Sequence, residues 1–224
     1  MSAVFVVLLA LVILVDILLI ILWKKKGEEY YFTKNLPTVS ILVAARNEEH
    51  NIERCLHSLL QQDYPADKVQ ILVGDDDSKD ETYTKAEALL SNSKNGRVIG
   101  ITKTLRHQKG KANVLAHLAN ESTGEYLFIT DADMELPKTW LRNMVLAFDE
   151  STAIVTGVTS TENVSYQGIE WVFALGMVKV LNDLNFPVIT MGNNMVISRR
   201  AYFEVGGYEN IPFSITEDLQ LFKE

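Results

Sequence analysis

From Val39 onward, short runs rich in β-branched and apolar residues alternate with longer stretches of helical spacing. This alternation narrows the available folds more than any other feature of the chain. Residues 39–44, 69–74, 97–101, 126–129 and 153–159 read as strands; residues 48–62, 79–91, 110–120 and 137–148 read as helices. A strand followed by a helix and then another strand has to cross over, so adjacent strands run parallel. A parallel sheet is stable only when helices cover both of its faces. The expected fold class is therefore α/β, a mostly parallel sheet flanked by helices. Ligands of such sheets collect beyond the carboxyl ends of the strands, so the residues just after each strand are where chemistry is expected.

A second constraint lies ahead of this pattern. Between Ala3 and Leu22 the only charged residue is Asp16, and about 20 apolar residues suffice to cross the hydrocarbon core of a bilayer. We read this segment as one transmembrane helix. A cleaved signal peptide would have a basic start, a shorter apolar run and a small-residue cleavage site, and none of these is present. Lys24, Lys25 and Lys26 follow the apolar run, and the positive-inside bias places that side in the cytoplasm. The expected organisation is a transmembrane helix over residues 1–23, a juxtamembrane linker over 24–36 and a globular domain over 37–224. The expected location is the inner (plasma) membrane, single-pass, with the domain cytoplasmic. A mid-span acid costs roughly 2.5 to 3.5 kcal/mol on insertion scales, which the surrounding Leu, Ile and Val residues outweigh. Asp16 is either a protonated or snorkelling passenger or a contact with another membrane helix, one in a partner included.

Composition closes off several function classes. With 224 residues, 47% of them hydrophobic, the chain holds enough material for one well-cored domain and a short appendage. A net charge of -8 argues against a general nucleic-acid surface, which needs clustered Lys and Arg along phosphates, so no nucleic-acid partner is expected. The single cysteine, Cys55, leaves no intrachain disulfide and no Cys-based zinc site; its spacing with Ile52, Leu56, Leu59 and Leu60 places it on a buried helix face. His50, His57, His107 and His117 have no ligand spacing. Gly110-Lys111 is not a Walker phosphate loop, because Ala112 follows where Ser or Thr is required and Leu105 stands at the first glycine position.

The chemistry concentrates after the strands. Ala44-Ala45-Arg46-Asn47-Glu48 follows the first, Asp75-Asp76-Asp77-Ser78-Lys79-Asp80 the second and Asp131-Ala132-Asp133 the fourth. Asn47, Ser78 and Asp80 are good helix caps, yet capping does not explain repeated carboxylates on one edge, where they repel unless a cation or a hydrogen-bonding ligand lies among them. A metal-bound nucleotide diphosphate satisfies all of them.

These segments, together with Gly110-Lys111-Ala112-Asn113, Gly192-Asn193-Asn194-Met195, Arg199-Arg200, Gly206-Gly207-Tyr208 and Thr216-Glu217-Asp218, occur in an order that resembles the family 2 glycosyltransferases. That family has the Rossmann-like GT-A fold, and the resemblance is closest to its membrane-anchored bacterial members. It runs from about Thr38 to the end of the chain. It implies that Asp76 accepts a hydrogen bond from the nucleotide base, with Ala44 and Arg46 along base and ribose. It implies further that Asp131 helps hold the ribose and the metal-diphosphate unit, that Asp133 ligates Mg²⁺ or Mn²⁺, and that Lys111 offsets diphosphate charge. Asp218 resembles the catalytic base, with Glu217 orienting it or the acceptor. The implied reaction is inverting transfer from a nucleotide sugar, in the usual case a UDP-sugar, to a lipid-linked or polysaccharide acceptor of the cell envelope at the cytoplasmic membrane face.

The chain departs from the family at Asp77, where Gly is commonest, and at Lys79, where Thr is. Membrane-anchored relatives also continue past the Asp218 region, often through a Gln-x-x-Arg-Trp motif and further membrane helices. The expectation is therefore a domain truncated at its C-terminal end. Two other functions fit parts of the pattern: a nucleotide-sugar binding or scaffolding module without turnover, and a metal-dependent phosphohydrolase using an Asp of the Asp131-Ala132-Asp133 triplet. Against the second, such a pair normally follows the first core strand. Finally, Trp171, Val172, Phe173, Leu175, Met177, Val180 and Leu181 form a nearly all-round apolar stretch, expected to pack in the core, with a bilayer surface or an acceptor-lipid path as the other readings.

Overall fold

A computed structural model describes residues 3–22, 36–148, 152–161, 166–184, 186, 191–212 and 221. The elements run α1 (Ala3–Leu22), β1 (Val39–Ala45), α2 (Ile52–Leu60), β2 (Val69–Asp75), α3 (Thr82–Leu90), β3 (Gly96–Gly100) and α4 (Gly110–Glu121). They continue with β4 (Tyr126–Asp131), α5 (Trp140–Leu146), β5 (Ile154–Thr156), α6 (Tyr166–Asp183), β6 (Asn194–Ser198), α7 (Arg199–Glu204) and α8 (Gly207–Asn210). Two compact units are present: Met1–Tyr30 with Val158–Ile189, and Tyr31–Gly157 with Thr190–Glu224.

The larger unit carries a six-stranded sheet in the order β3-β2-β1-β4-β6-β5. β1 pairs in parallel with both β2 and β4, and β2 pairs in parallel with β3. β6 and β5 then add antiparallel pairings at the far edge. The alternation of residues along β1 shows how both faces are used. Val39, Ile41, Val43 and Ala45 face one apolar core with α2, α3 and α5, represented by Leu56, Ala86 and Trp140. Leu42 faces a second core with α4 and the α7–α8 region, represented by Leu115, Leu118, Tyr202 and Tyr208. This is the α/β fold expected of a chain whose strands are apolar on both sides.

Two glycines mark close approaches. A Cβ on Gly74 in β2 would lie 2.3 Å from Val114 Cγ1 on α4, so the missing side chain lets α4 settle onto the sheet. A Cβ on Gly124 would lie 2.4 Å from the backbone nitrogen of Ser40, fixing how the chain enters β4 beside β1.

Three differences from the sequence reading have physical causes. The helix expected from residue 48 begins at Ile52, because Asn47 has φ 55° and the backbone nitrogens of 47–49 are taken by side chains of the 78–82 loop. β6, which the sequence reading did not name, is only five residues long and runs directly into α7, whose N-cap Ser198 accepts from the Ala201 N–H. The apolar stretch expected in the core lies in α6, in the smaller unit, where Trp171, Val172 and Phe173 are exposed and only Val180 of those named is buried. α6 shares that unit with α1, and the two helices touch.

Candidate functional site

Parallel pairing of β1 with both neighbours brings the ends of β2, β1 and β4 side by side. Ala44 stands in register with Gly74 on one flank and with Asp131 on the other, and Ala45 with Asp75. Strands lie about 4.8 Å apart, so the acids after β2 and β4 are separated by the width of β1, on the order of 10 Å, with Ala44, Ala45 and Arg46 between them.

On the β2 side, Arg46 Nη1 donates to Asp76 Oδ2 at 3.2 Å. Asp76 is the more enclosed partner, its side chain 21% exposed against 62% for Arg46. The 46–49 and 77–82 segments are laced together. The Asn47 N–H donates to Ser78 Oγ at 3.0 Å, and the Lys79 N–H returns to Asn47 Oδ1 at 2.8 Å. The Glu48 N–H reaches Thr82 Oγ1 at 2.7 Å, and the Glu49 N–H reaches Asp80 Oδ2 at 3.1 Å. Asp80 is thus a clasp as well as a helix-start residue, since its other oxygen accepts from Thr82. Desolvation works to raise the Asp80 pKa, but the hydrogen bonds from Thr82 and Glu49 outweigh it and hold it below the usual carboxylate range.

The Asp77 departure has a conformational reason. Its φ of 56° lies in the left-handed region, where glycine is free and aspartate is among the better-tolerated substitutes. The turn keeps its shape with Asp in place of Gly. Lys79, the other departure, donates to Asp77 Oδ2 at 2.6 Å, and that hydrogen bond and charge lower the Asp77 pKa. The two unusual residues are therefore partners.

On the β4 side, Lys111 Nζ lies 2.6 Å from Asp131 Oδ1 and also donates to the Gly192 carbonyl at 3.2 Å. Lys111 is in the first turn of α4, and Gly110 before it takes φ 56°, which aims that turn at the sheet edge. Asp133 has an exposed side chain, and its carbonyl accepts from Arg54 Nη2 at 2.9 Å. Cys55 Sγ approaches the Asp131 carbonyl at 3.6 Å. Burial first, then the charges of Asp133 and Asp131, push the Cys55 thiol up to about 12. It is a packed structural thiol, as its spacing indicated.

The structure thus brings Ala44, Arg46, Asp76, Lys111, Asp131 and Asp133 to one edge of the sheet. Glu217 and Asp218 lie outside the described residues. Four participants were given no individual role by the sequence reading. Asp75 is buried and anchors the turn by accepting from the Ser78 N–H at 3.2 Å. Arg54 steadies Asp133, the Gly192 carbonyl holds Lys111, and buried Asn194 accepts from Trp140 Nε1 at 2.9 Å. The doubled Asn after Gly192 was the available signal for the last, since a buried amide has to be hydrogen-bonded.

Among the described residues, no group of three or more His, Cys, Asp or Glu side chains could hold a metal ion. Asp131 and Asp133 offer two carboxylates at most. That donor set fits Mg²⁺ or Mn²⁺ held jointly with a ligand's phosphates, since such ions take one or two carboxylates and complete their shell from substrate and water.

Comparison with known proteins agrees with the geometry. Residues 40–207 match the model of Glycosyl transferase family 2, and the chain belongs to that family. It is 28% identical over 201 residues to the probable glycosyltransferase YdaM of Bacillus subtilis, covering 84% of this chain and 46% of the relative. It is 28% identical over 197 residues to the beta-monoglucosyldiacylglycerol synthase of Synechocystis sp., covering 83% of this chain and 39% of that protein. The chain therefore spans under half the length of these curated relatives. Among solved structures, the mannosyltransferase PcManGT from Pyrobaculum calidifontis, determined in complex with GDP-Man and Mn2+, superposes with a TM-score of 0.73. The match has 23% identity and covers 93% of this chain and 57% of that one. The fold is the GT-A type expected from the order of the motifs.

Proposed function

We propose that this protein is an inverting glycosyltransferase that moves a sugar from a nucleotide-sugar donor, in the first instance a UDP-sugar, to a lipid-linked or polysaccharide acceptor at the cytoplasmic face of the membrane. The observation that carries this reading is the convergence of Asp76, Asp131 and Asp133 on one sheet edge, with Arg46 paired to Asp76 and Lys111 to Asp131. Such a set suits a ligand with a hydrogen-bonding base at one end and a diphosphate at the other. The relatives support the class: one is a lipid-glucosylating synthase by name, and a structural neighbour was solved with a nucleotide sugar and Mn2+.

In this reading Asp76 accepts from the base while Arg46 keeps its carboxylate oriented, and Ala44 leaves room for the ring beside β1. Asp131 and Asp133 would hold Mg²⁺ or Mn²⁺; when bound, that ion offsets the negative charge that grows on the departing diphosphate. Lys111 adds a second positive charge on the same side. Asp218 accepts the proton of an acceptor hydroxyl as its oxygen bonds to the anomeric carbon and the bond from that carbon to the diphosphate oxygen breaks. Glu217 orients Asp218 or the acceptor. One displacement inverts the centre, so no protein nucleophile is required.

The test is calorimetric titration of UDP- and GDP-sugars in the presence of Mn²⁺, with Asp133→Ala as the comparison. One nucleotide class should bind, and the variant should lose at least about tenfold in affinity, roughly 1.4 kcal/mol. Failure of both classes, or unchanged binding by the variant, overturns the donor-site assignment. Asp218→Asn, assayed in a form of the protein that turns over, should keep donor affinity and lose transfer.

A further inference from the structure

We propose that α6 is an interfacial membrane helix: its apolar surface lies in the headgroup and acyl-chain boundary of the same bilayer that α1 enters. The proposal does not rest on the donor-site reading. Its first support is exposure. Ile169, Trp171, Val172 and Phe173 are 61%, 39%, 52% and 45% exposed, and Phe186 just beyond the helix is 69% exposed. Ile169, Val172 and Phe173 stand at i, i+3 and i+4, so they share one helix face, and that apolar face is not covered by the protein's own core.

The second support is the neighbour. α1 is the one described helix long and apolar enough to cross a membrane, and α6 touches it within the same compact unit. A helix in contact with a membrane span shares its solvent, which favours lipid over a second protein copy as the occupant.

Charge placement separates lying in the interface from crossing it. Glu170, Lys179 and Asp183 are the charged residues of α6, and Lys179 Nζ lies 2.5 Å from Asp183 Oδ2, so one pair neutralises itself within the helix. Three charges in 18 residues oppose a full crossing but suit a helix whose polar groups reach the headgroups. Tyr166 and Trp171 are the aromatic types that concentrate at that boundary. The connection also permits it. The chain leaves the sheet after Gly157, whose N–H donates to the Asn194 carbonyl at 2.8 Å, so departure and return are tied together and the excursion between them need not disturb the strands.

The experiment uses the full chain in vesicles of phosphatidylcholine and phosphatidylglycerol. Spin labels go on Ile169→Cys, Val172→Cys or Phe173→Cys, with Val12→Cys as the lipid reference and Lys94→Cys as the aqueous one. Buried Cys55 does not compete for label. Collision with oxygen relative to a water-soluble nickel complex should be several-fold higher at all three α6 positions than at position 94, approaching that at position 12. Aqueous accessibility like that of position 94 overturns the proposal. So does protection from both reagents, which would mean a protein partner or a second copy covers the helix.

Discussion

Tyr64 shows how much one side chain fastens at the start of the sheet. Its hydroxyl donates to the Pro37 carbonyl at 2.7 Å while its ring is buried in the core under β1. Burial, and then the charge of Glu125, raise its pKa well above the ordinary 10.0. The folded state therefore keeps this proton at pH values where the unfolded chain has released it. The contribution is complete below pH 10 and is lost as pH rises above it. Tyr64→Phe should cost about 1 kcal/mol at neutral pH, the worth of one hydrogen bond, and should make the alkaline loss shallower. Urea midpoints of both proteins at neutral and strongly alkaline pH measure the two effects together. A variant that declines with pH as steeply as the parent would show that the titration lies elsewhere.

At the scale of elements, the contact of α4 on β2 joins stability to the site, because α4 carries Lys111 at its start and Val114 one turn later. Gly74→Ala would bring a Cβ to 2.3 Å from Val114 Cγ1, and overpacking of this kind costs about 1–3 kcal/mol. Urea unfolding should record that loss, and donor titration should record weaker binding as the first turn of α4 is displaced. Gly100→Ala is the control, since its Cβ would meet only Tyr83 Cε2 at 3.9 Å, an ordinary contact. Its unfolding midpoint should stay within about 0.5 kcal/mol of the parent. The α4 motif was legible in the sequence as Gly110-Lys111-Ala112-Asn113, but its packing was not. A glycine inside a strand signals that something approaches, without saying what.

For the molecule as a whole, the prediction concerns sidedness. The positive-inside bias of Lys24, Lys25 and Lys26 predicts that everything after α1 lies in the cytoplasm. Protease added to inverted membrane vesicles, whose cytoplasmic face is outward, should digest the globular body; right-side-out vesicles should protect it. The opposite pattern would remove nucleotide sugars of the cytoplasm as donors. The same scale explains the misplacement of α6. Its residues are as apolar as core residues, and periodicity alone does not distinguish burial in protein from contact with lipid. The coordinates show α6 exposed and touching α1, the observations on which the interfacial proposal rests.

The amino-acid sequence by itself determined the α/β class, the apolar N-terminal helix and the identity of the acids after β2 and β4. Each of these is written in local pattern: period, length, and the residue types that follow a strand. The tertiary structure decided the strand order, the antiparallel β6 and the pairings Arg46–Asp76 and Lys111–Asp131. Those depend on which distant segments become neighbours. Residues 30 positions apart, as Arg46 and Asp76 are, or 87 apart, as Ala44 and Asp131 are, cannot announce a shared edge through local spacing; the register of β1 between β2 and β4 makes them meet.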